Sequence, residues 1–97
     1  MAVVALGLAA CDPYVKVTGV VREPSGTPLE NVTVTLTMPG REPDIDTTAN
    51  DGNFNVGIVG ADSEKTSIAF RKDGFQPIEE LVGRQEQRTM AVTLLPK

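Results

Sequence analysis

The residue with the clearest potential for chemistry is Cys11, the only cysteine in the chain. It follows an uninterrupted apolar run that ends in Leu8, Ala9 and Ala10. A thiol is a nucleophile that can carry an acyl chain, and small residues after an apolar stretch suit a signal peptidase. The run is shorter than the roughly 20 apolar residues that span a bilayer. The pattern therefore predicts cleavage between Ala10 and Cys11 rather than a transmembrane helix.

The tetrapeptide Leu8-Ala9-Ala10-Cys11 resembles the lipobox of bacterial lipoproteins. The resemblance implies that residues 1–10 are a signal segment that is removed, and that Cys11 becomes a lipidated N-terminus. Residues 11–14 are then a short tether, and the lipid makes the membrane of a bacterial cell envelope a partner. Asp12 resembles a retention signal for the inner membrane, but the sequence leaves inner and outer membrane undecided. The alternative is a free Cys11 that packs as a small hydrophobic residue in an apolar first strand.

Acidic and amide side chains between Asp44 and Asn53 are the next candidates, because such oxygen atoms bind calcium. The spacing does not fit an EF-hand loop. With Gly52 at the sixth position, the first and third positions are Thr47 and Ala49, and alanine offers no side-chain ligand. Asn, Asp and Gly are also the residues that a tight turn requires. We therefore predict a hairpin turn and no metal site.

Adjacent Glu79 and Glu80 resemble a general acid and base only in composition. Neighbouring strand residues point to opposite faces, so the two carboxylates cannot flank one bond. The chain contains no histidine, and its serines lack the base that usually activates such a nucleophile. The sequence predicts no catalytic residue, no cofactor and no enzymatic activity.

Charge and composition disfavour two classes of partner, nucleic acids and glycans. The 97 residues include 9 Lys and Arg against 13 Asp and Glu, which gives a net charge of −4. The basic residues are scattered, whereas nucleic-acid-binding domains have a basic patch or stripe, so we predict no nucleic-acid partner. Aromatic residues make up 4% of the chain and tryptophan is absent, which disfavours the aromatic platforms on which sandwiches bind glycans.

The elements that position these residues are predicted from an alternation that begins at Val15. In the clearest run, Val32 to Met38, four apolar residues alternate with three threonines. Such alternation is typical of a strand with one buried and one exposed face. Pro77 places one strand at a sheet edge, because proline donates no ladder hydrogen bond. The predicted strands cover residues 15–21, 32–38, 45–49, 54–58, 68–70, 75–82 and 89–95.

Seven short strands separated by turn residues predict an all-β fold, a seven-stranded antiparallel β-sandwich over residues 15–97. Three stretches carry a second resemblance. The first is Gly19-Val20-Val21 with the following Gly26-Thr27-Pro28-Leu29 and Val32-Thr33-Val34-Thr35-Leu36. The others are Thr48-Ala49-Asn50-Asp51-Gly52-Asn53-Phe54 and Lys72-Asp73-Gly74-Phe75.

These stretches resemble the carboxypeptidase regulatory-like domain. The resemblance implies a transthyretin-like (prealbumin-like) β-sandwich that has no catalysis of its own. Such domains occur as appendages of enzymes and outer-membrane receptors, and alone in lipoproteins. No binding residue transfers to this chain, because the matching positions are turn and core positions.

The tether determines how the domain is expected to lie. Only residues 12–14 separate Cys11 from the first strand, and at about 3.4 Å per residue they span about 10 Å. The domain is therefore expected to lie against the bilayer. If successive strands alternate in direction, the turns around Ser25, Asp51 and Asp73 project away from the membrane, and the loops around Pro43, Ser63 and Gln85 face it.

The sequence thus predicts a non-enzymatic, lipid-anchored β-sandwich of the cell envelope that acts as a structural or protein-interaction module. Its partner is an envelope protein that binds the distal turns or an exposed edge strand. The alternative is a module that binds a glycan or a peptide at the envelope surface. The candidate partner-facing residues are Ser25, Gly26, Asn50, Asp51, Gly52, Asp73 and Gly74.

Overall fold

Apolar and polar residues alternate most clearly over residues 33–37 and 53–58 of the described chain. The computed structural model describes residues 14–59, 64–83 and 86–97, and all regular elements within them are β-strands. The strands are β1 (Tyr14–Arg22), β2 (Thr33–Thr37), β3 (Asp44–Thr47), β4 (Asn53–Val59), β5 (Ser67–Arg71), β6 (Ile78–Leu81) and β7 (Glu86–Thr93).

These strands form two sheets that pack face to face. One sheet has the order β4-β1-β7 and the other has the order β3-β2-β5-β6. The side chains between the sheets form one apolar core. Phe54 on β4 meets Phe70 on β5 across this core, with ring centroids 5.3 Å apart and planes at 74°, the edge-to-face arrangement that aromatic rings prefer. The predicted all-β sandwich is confirmed.

One pairing differs from the predicted antiparallel sheet, since β1 and β7 run parallel. Successive strands do alternate in direction, so β1 and β7 point the same way because both are odd-numbered. The other four pairs are antiparallel: β1 with β4, β2 with β3, β2 with β5, and β5 with β6. The parallel pair places the first and last strands of the chain side by side.

Three predicted strands differ from the observed ones by more than one residue at an end. The strand predicted over 89–95 is β7, Glu86–Thr93. The strand predicted over 45–49 is β3, Asp44–Thr47; beyond its end Thr48 is buried, and its backbone bonds to Asn31 and Val32. The strand predicted over 75–82 is divided. Phe75 forms an isolated bridge with Pro96, and only Ile78–Leu81 pairs with β5. As Pro77 predicted, β6 is an edge strand.

Candidate interaction surface

Strand registers place the three predicted turns at one end of the sandwich. Val20, near the end of β1, lies opposite Asn53 at the start of β4. Thr33, at the start of β2, lies opposite both Thr47 and Arg71. The segments that follow β1, precede β4 and follow β5 therefore share this end, which we call the distal end. Tyr14 is at the other end of β1.

The first turn of the distal end is exposed. The Gly26 N–H donates to the Glu23 carbonyl oxygen at 2.8 Å, and the hydroxyl groups of Ser25 and Thr27 lie 3.0 Å apart. Gly26 has a φ of 94°, and no described atom lies within 4 Å of the place a Cβ would take. This turn is accessible to a partner.

The second turn presents two of its three predicted residues. The Asp51 carboxylate accepts the Asn53 N–H at 3.0 Å and the Asn53 Nδ2 at 2.9 Å, and Asn50 and Asp51 are exposed. Gly52 is buried, and its carbonyl oxygen accepts the Val21 N–H at 2.9 Å. A Cβ on Gly52 would lie 2.5 Å from the Val21 oxygen. A partner would therefore meet Asn50 and Asp51, while Gly52 supports the turn from beneath.

The third turn presents Asp73 and Gly74, which are both exposed. The Phe75 N–H closes the turn on the Lys72 carbonyl oxygen at 3.0 Å. Gly74 has a φ of 89°, a conformation that glycine adopts without steric cost. As in the first turn, no described atom lies within 4 Å of the place a Cβ would take.

A cationic cleft of about 350 Å³ lies beside the third turn. Its charged lining consists of Arg71, Lys72 and Lys97 with one acid, Asp73. The Lys72 Nζ donates to the Glu30 carbonyl oxygen at 2.9 Å, and within the described residues no carboxylate pairs with these three cations. Sequence reasoning did not find this cleft, because Lys97 joins Arg71 and Lys72 through the pairing of residues 74–76 with residues 95–97.

The acidic residues considered as calcium ligands serve the backbone instead. The Asp46 Oδ2 accepts the Asn55 N–H and the Asp44 Oδ2 accepts the Gly57 N–H, each at 2.8 Å. These bonds join the edge of β3 to the edge of β4 and so close one side of the sandwich. Among residues 14–59, 64–83 and 86–97, no group of three or more His, Cys, Asp and Glu could hold a metal ion.

The adjacent acids of β6 do not form a catalytic pair. Glu79 lies opposite Ala69 and Glu80 lies opposite Ile68. Both glutamates are exposed, and as successive residues of a strand they point to opposite faces. The interpretation of Glu79 and Glu80 as solvated strand residues therefore agrees with the structure.

The candidate anchor lies outside the described residues. Ala10, Cys11 and Asp12 belong to this part of the chain, as do the loop residues Ser63 and Gln85. Cleavage before Cys11 and its lipidation therefore stay predictions. The described part of the chain contains no apolar helix of membrane-spanning length.

One known family model matches most of the chain. The model of the carboxypeptidase regulatory-like domain matches residues 16–95. No curated protein sequence matches the chain significantly.

Solved structures share the fold at low sequence identity. A 3-chlorocatechol 1,2-dioxygenase from Rhodococcus opacus 1CP is 11% identical with a TM-score of 0.66, over 89% of this chain and 61% of that chain. A C-terminal fragment of the pilus adhesin SpaC from Lactobacillus rhamnosus GG is 12% identical with a TM-score of 0.57, over 88% and 46%. A DUF3823 family protein from Parabacteroides merdae is 17% identical with a TM-score of 0.53, over 89% and 47%. The chain thus spans less than two thirds of each of these structures.

Proposed function

We propose that this chain, which belongs to the carboxypeptidase regulatory-like domain family, is a lipid-anchored interaction module of a bacterial cell envelope. In this proposal a lipid on Cys11 holds the β-sandwich at a membrane, and the sandwich binds another envelope protein. The observation that carries the proposal is the separation of the two ends: Tyr14 lies at one end of β1 and the three exposed turns lie at the other.

Because the two ends are separated, an anchor at one end would leave the turns at the other end accessible. A tether of about 10 Å keeps the Tyr14 end near the lipid, so the turns at Ser25, Asp51 and Asp73 point away from the membrane. Exposed polar turns on a rigid sheet are where proteins usually place binding residues. The module would present these turns to a partner at a fixed height above the bilayer.

A non-catalytic role agrees with family, neighbours and composition. The family is a regulatory-like domain, and the structural neighbours include a pilus adhesin fragment. The likeness to the dioxygenase, at 11% identity, concerns the fold alone. Histidine, the commonest general base of enzymes, is absent from the sequence.

One observation favours the alternative of a ligand-binding module. The cationic cleft of Arg71, Lys72 and Lys97 is concave and opens at the distal end. Arginine and lysine bind carboxylates through charge-assisted hydrogen bonds. An acidic peptide or a glycan that carries carboxylates fits this chemistry, and titration with each ligand, followed by amide chemical shifts, separates the two.

Membrane fractionation tests the anchor. The protein expressed from the full coding sequence is expected in the detergent-soluble membrane fraction, and the Cys11→Ser variant in the aqueous fraction. Equal partitioning of the two proteins would refute the lipid on Cys11.

A matched pair of protease sites tests the orientation. One site is inserted at the exposed turn before Thr27 at the distal end, and the other after Gly40 at the Tyr14 end, where the neighbouring residues are equally exposed. In intact membranes we expect faster cleavage at the distal site and equal rates after detergent release. Faster cleavage after Gly40 in intact membranes would contradict the proposed orientation.

A further inference from the structure

Three of the four sheet edges are protected against an added strand. On β4 the outward amides of Asn55 and Gly57 are bonded to Asp46 and Asp44, whose strand β3 lies against that edge. The edge strand β6 has only four residues, follows Pro77 and carries two exposed glutamates. Short strands, proline and charge are the usual protections of an edge.

The fourth edge, on β7, is longer and contains no proline, and its two charged residues, Glu86 and Arg88, lie at its beginning. β7 has eight residues and pairs only with β1 among the described strands. The Leu94 N–H donates to the Arg22 carbonyl oxygen at 2.9 Å. Because backbone groups alternate in direction along a strand, the even-numbered residues of β7 bond to β1 and the odd-numbered ones point outward. The outward set is uncharged and contains no proline: Gln87, Thr89, Ala91 and Thr93.

The chain already uses this edge at its upper end. Beyond β7, the outward Leu95 carbonyl oxygen accepts the Gln76 N–H at 2.8 Å, and the Lys97 N–H donates to the Gly74 carbonyl oxygen at 2.9 Å. The bridge between Phe75 and Pro96 is antiparallel. Residues 74–76 therefore form the beginning of an antiparallel strand on this edge. No described residue continues it past Thr93.

Two apolar side chains line the upper part of the open side of the sandwich below this short pairing, and Arg88 follows Met90 on the same face of β7. β6 and β7 are the outer strands of the two sheets on the side opposite β3 and β4. Ile78 on β6 and Met90 on β7 are only half-buried, although they pack against the core. An added strand with apolar residues at alternate positions would cover both side chains.

We infer that the β7 edge from Gln87 to Thr93 binds an extended segment of a partner protein as an added antiparallel strand. The segment is apolar on the side that faces Met90 and Ile78, and it contains no proline. The inference rests on the proposed function for the location of the partner at the envelope and for the choice of a different protein over a second copy of this chain.

A second copy of this chain fits the edge less well than a different protein does. A twofold pair of β7 strands runs antiparallel, and eight residues at about 3.3 Å each span about 26 Å. The Tyr14 ends of the two copies would then lie on opposite sides of the pair. Two tethers of about 10 Å could not reach one membrane from both sides.

The test uses a synthetic peptide of alternating threonine and valine with a lysine at each end. The full chain carrying Cys11→Ser is kept in detergent, so that the measurement does not depend on the anchor. On peptide addition, hydrogen exchange is expected to slow at the amides of Thr89 and Ala91. The amides of Met90 and Val92, already bonded to β1, are expected to exchange slowly throughout.

Methylated peptides provide the matched control. In an antiparallel pair the residues directly opposite each other have side chains on the same face. With valine facing the core, the threonine amides bond to β7. N-methylation of the threonines is expected to lower affinity at least about tenfold, and N-methylation of the valines to leave affinity within about threefold. No binding by the unmodified peptide, or equal binding by the two methylated peptides, overturns the inference.

A variant tests the same edge from the protein side. Ala91→Pro removes an outward N–H that makes no bond to β1, a position at which edge strands tolerate proline. Peptide affinity is expected to fall at least about tenfold, and unchanged affinity contradicts the inference. A second outcome would also overturn the inference. If the Thr89 and Ala91 amides exchange more slowly as the protein concentration rises, in the absence of peptide, a second copy of the chain occupies the edge.

Discussion

Two buried threonines with opposite hydrogen-bonding environments provide the sharpest test of the packing. The Thr48 Oγ1 donates to the Leu29 carbonyl oxygen at 2.7 Å and accepts the Val32 N–H at 2.9 Å. The Oγ1 of the equally buried Thr66 has no partner among the described residues. Replacing each threonine with valine keeps the side-chain shape and removes only the hydroxyl.

Thr48→Val is expected to destabilise the domain strongly. It leaves the Leu29 carbonyl and the Val32 amide buried without a partner, at about 1–3 kcal/mol each, or about 2–6 kcal/mol in total. At about 4–8 °C per kcal/mol for a domain of this size, Tm falls by at least about 8 °C. Thr66→Val is expected to change stability by less than about 1 kcal/mol or to raise it, because it removes an unpaired buried hydroxyl.

Urea unfolding measures both variants, with unchanged m-values as the sign that the folded state is retained. Thr48→Ser is the control, since it keeps the hydroxyl and loses one methyl group. It should recover most of the stability that Thr48→Val loses. Equal losses for Thr48→Val and Thr66→Val, or a Thr48→Ser variant as unstable as Thr48→Val, would refute the assigned role of the Thr48 hydroxyl.

Two further substitutions test the sheet edges and the parallel pair. A Cβ on Gly19 would lie 2.0 Å from the Met90 carbonyl oxygen on β7, so Gly19→Ala is expected to cost about 3 kcal/mol or more because it forces β1 and β7 apart. The control is Gly57→Ala, whose Cβ would have its nearest atom at 3.3 Å and which should change stability by less than about 1 kcal/mol in the same urea assay. Similar losses of stability for the two variants would contradict the close approach of Gly19 to Met90. Asp46→Ala removes the carboxylate that accepts the Asn55 amide. That amide should then exchange with solvent at least about tenfold faster, whereas unchanged exchange would show that the edge of β4 is protected in another way.

Local patterns predicted the strands, because each pattern is set by near neighbours in the chain. The alternation from Val32 to Met38 predicted β2 and its buried face. The Asn50-Asp51-Gly52 sequence predicted the turn before β4, where Gly52 has a φ of 79°. Pro77 predicted an edge strand from the missing N–H alone.

Features that depend on pairing between distant strands were not predicted. The parallel pair of β1 and β7 follows from which strands become neighbours, and no local pattern encodes that choice. Asp44 and Asp46 have the composition of a calcium site, but the β4 amides that they bind lie in another part of the sequence. The cationic cleft likewise requires Lys97 to come beside Arg71.

The intact mass of the protein extracted from cell membranes tests the central proposal most directly. Because the lipid is proposed to be attached to Cys11 after removal of residues 1–10, we expect the mass of residues 11–97 increased by fatty acyl chains. The Cys11→Ser variant should lack the added mass. Recovery of a water-soluble chain that retains residues 1–10 and a free Cys11 thiol would contradict the account.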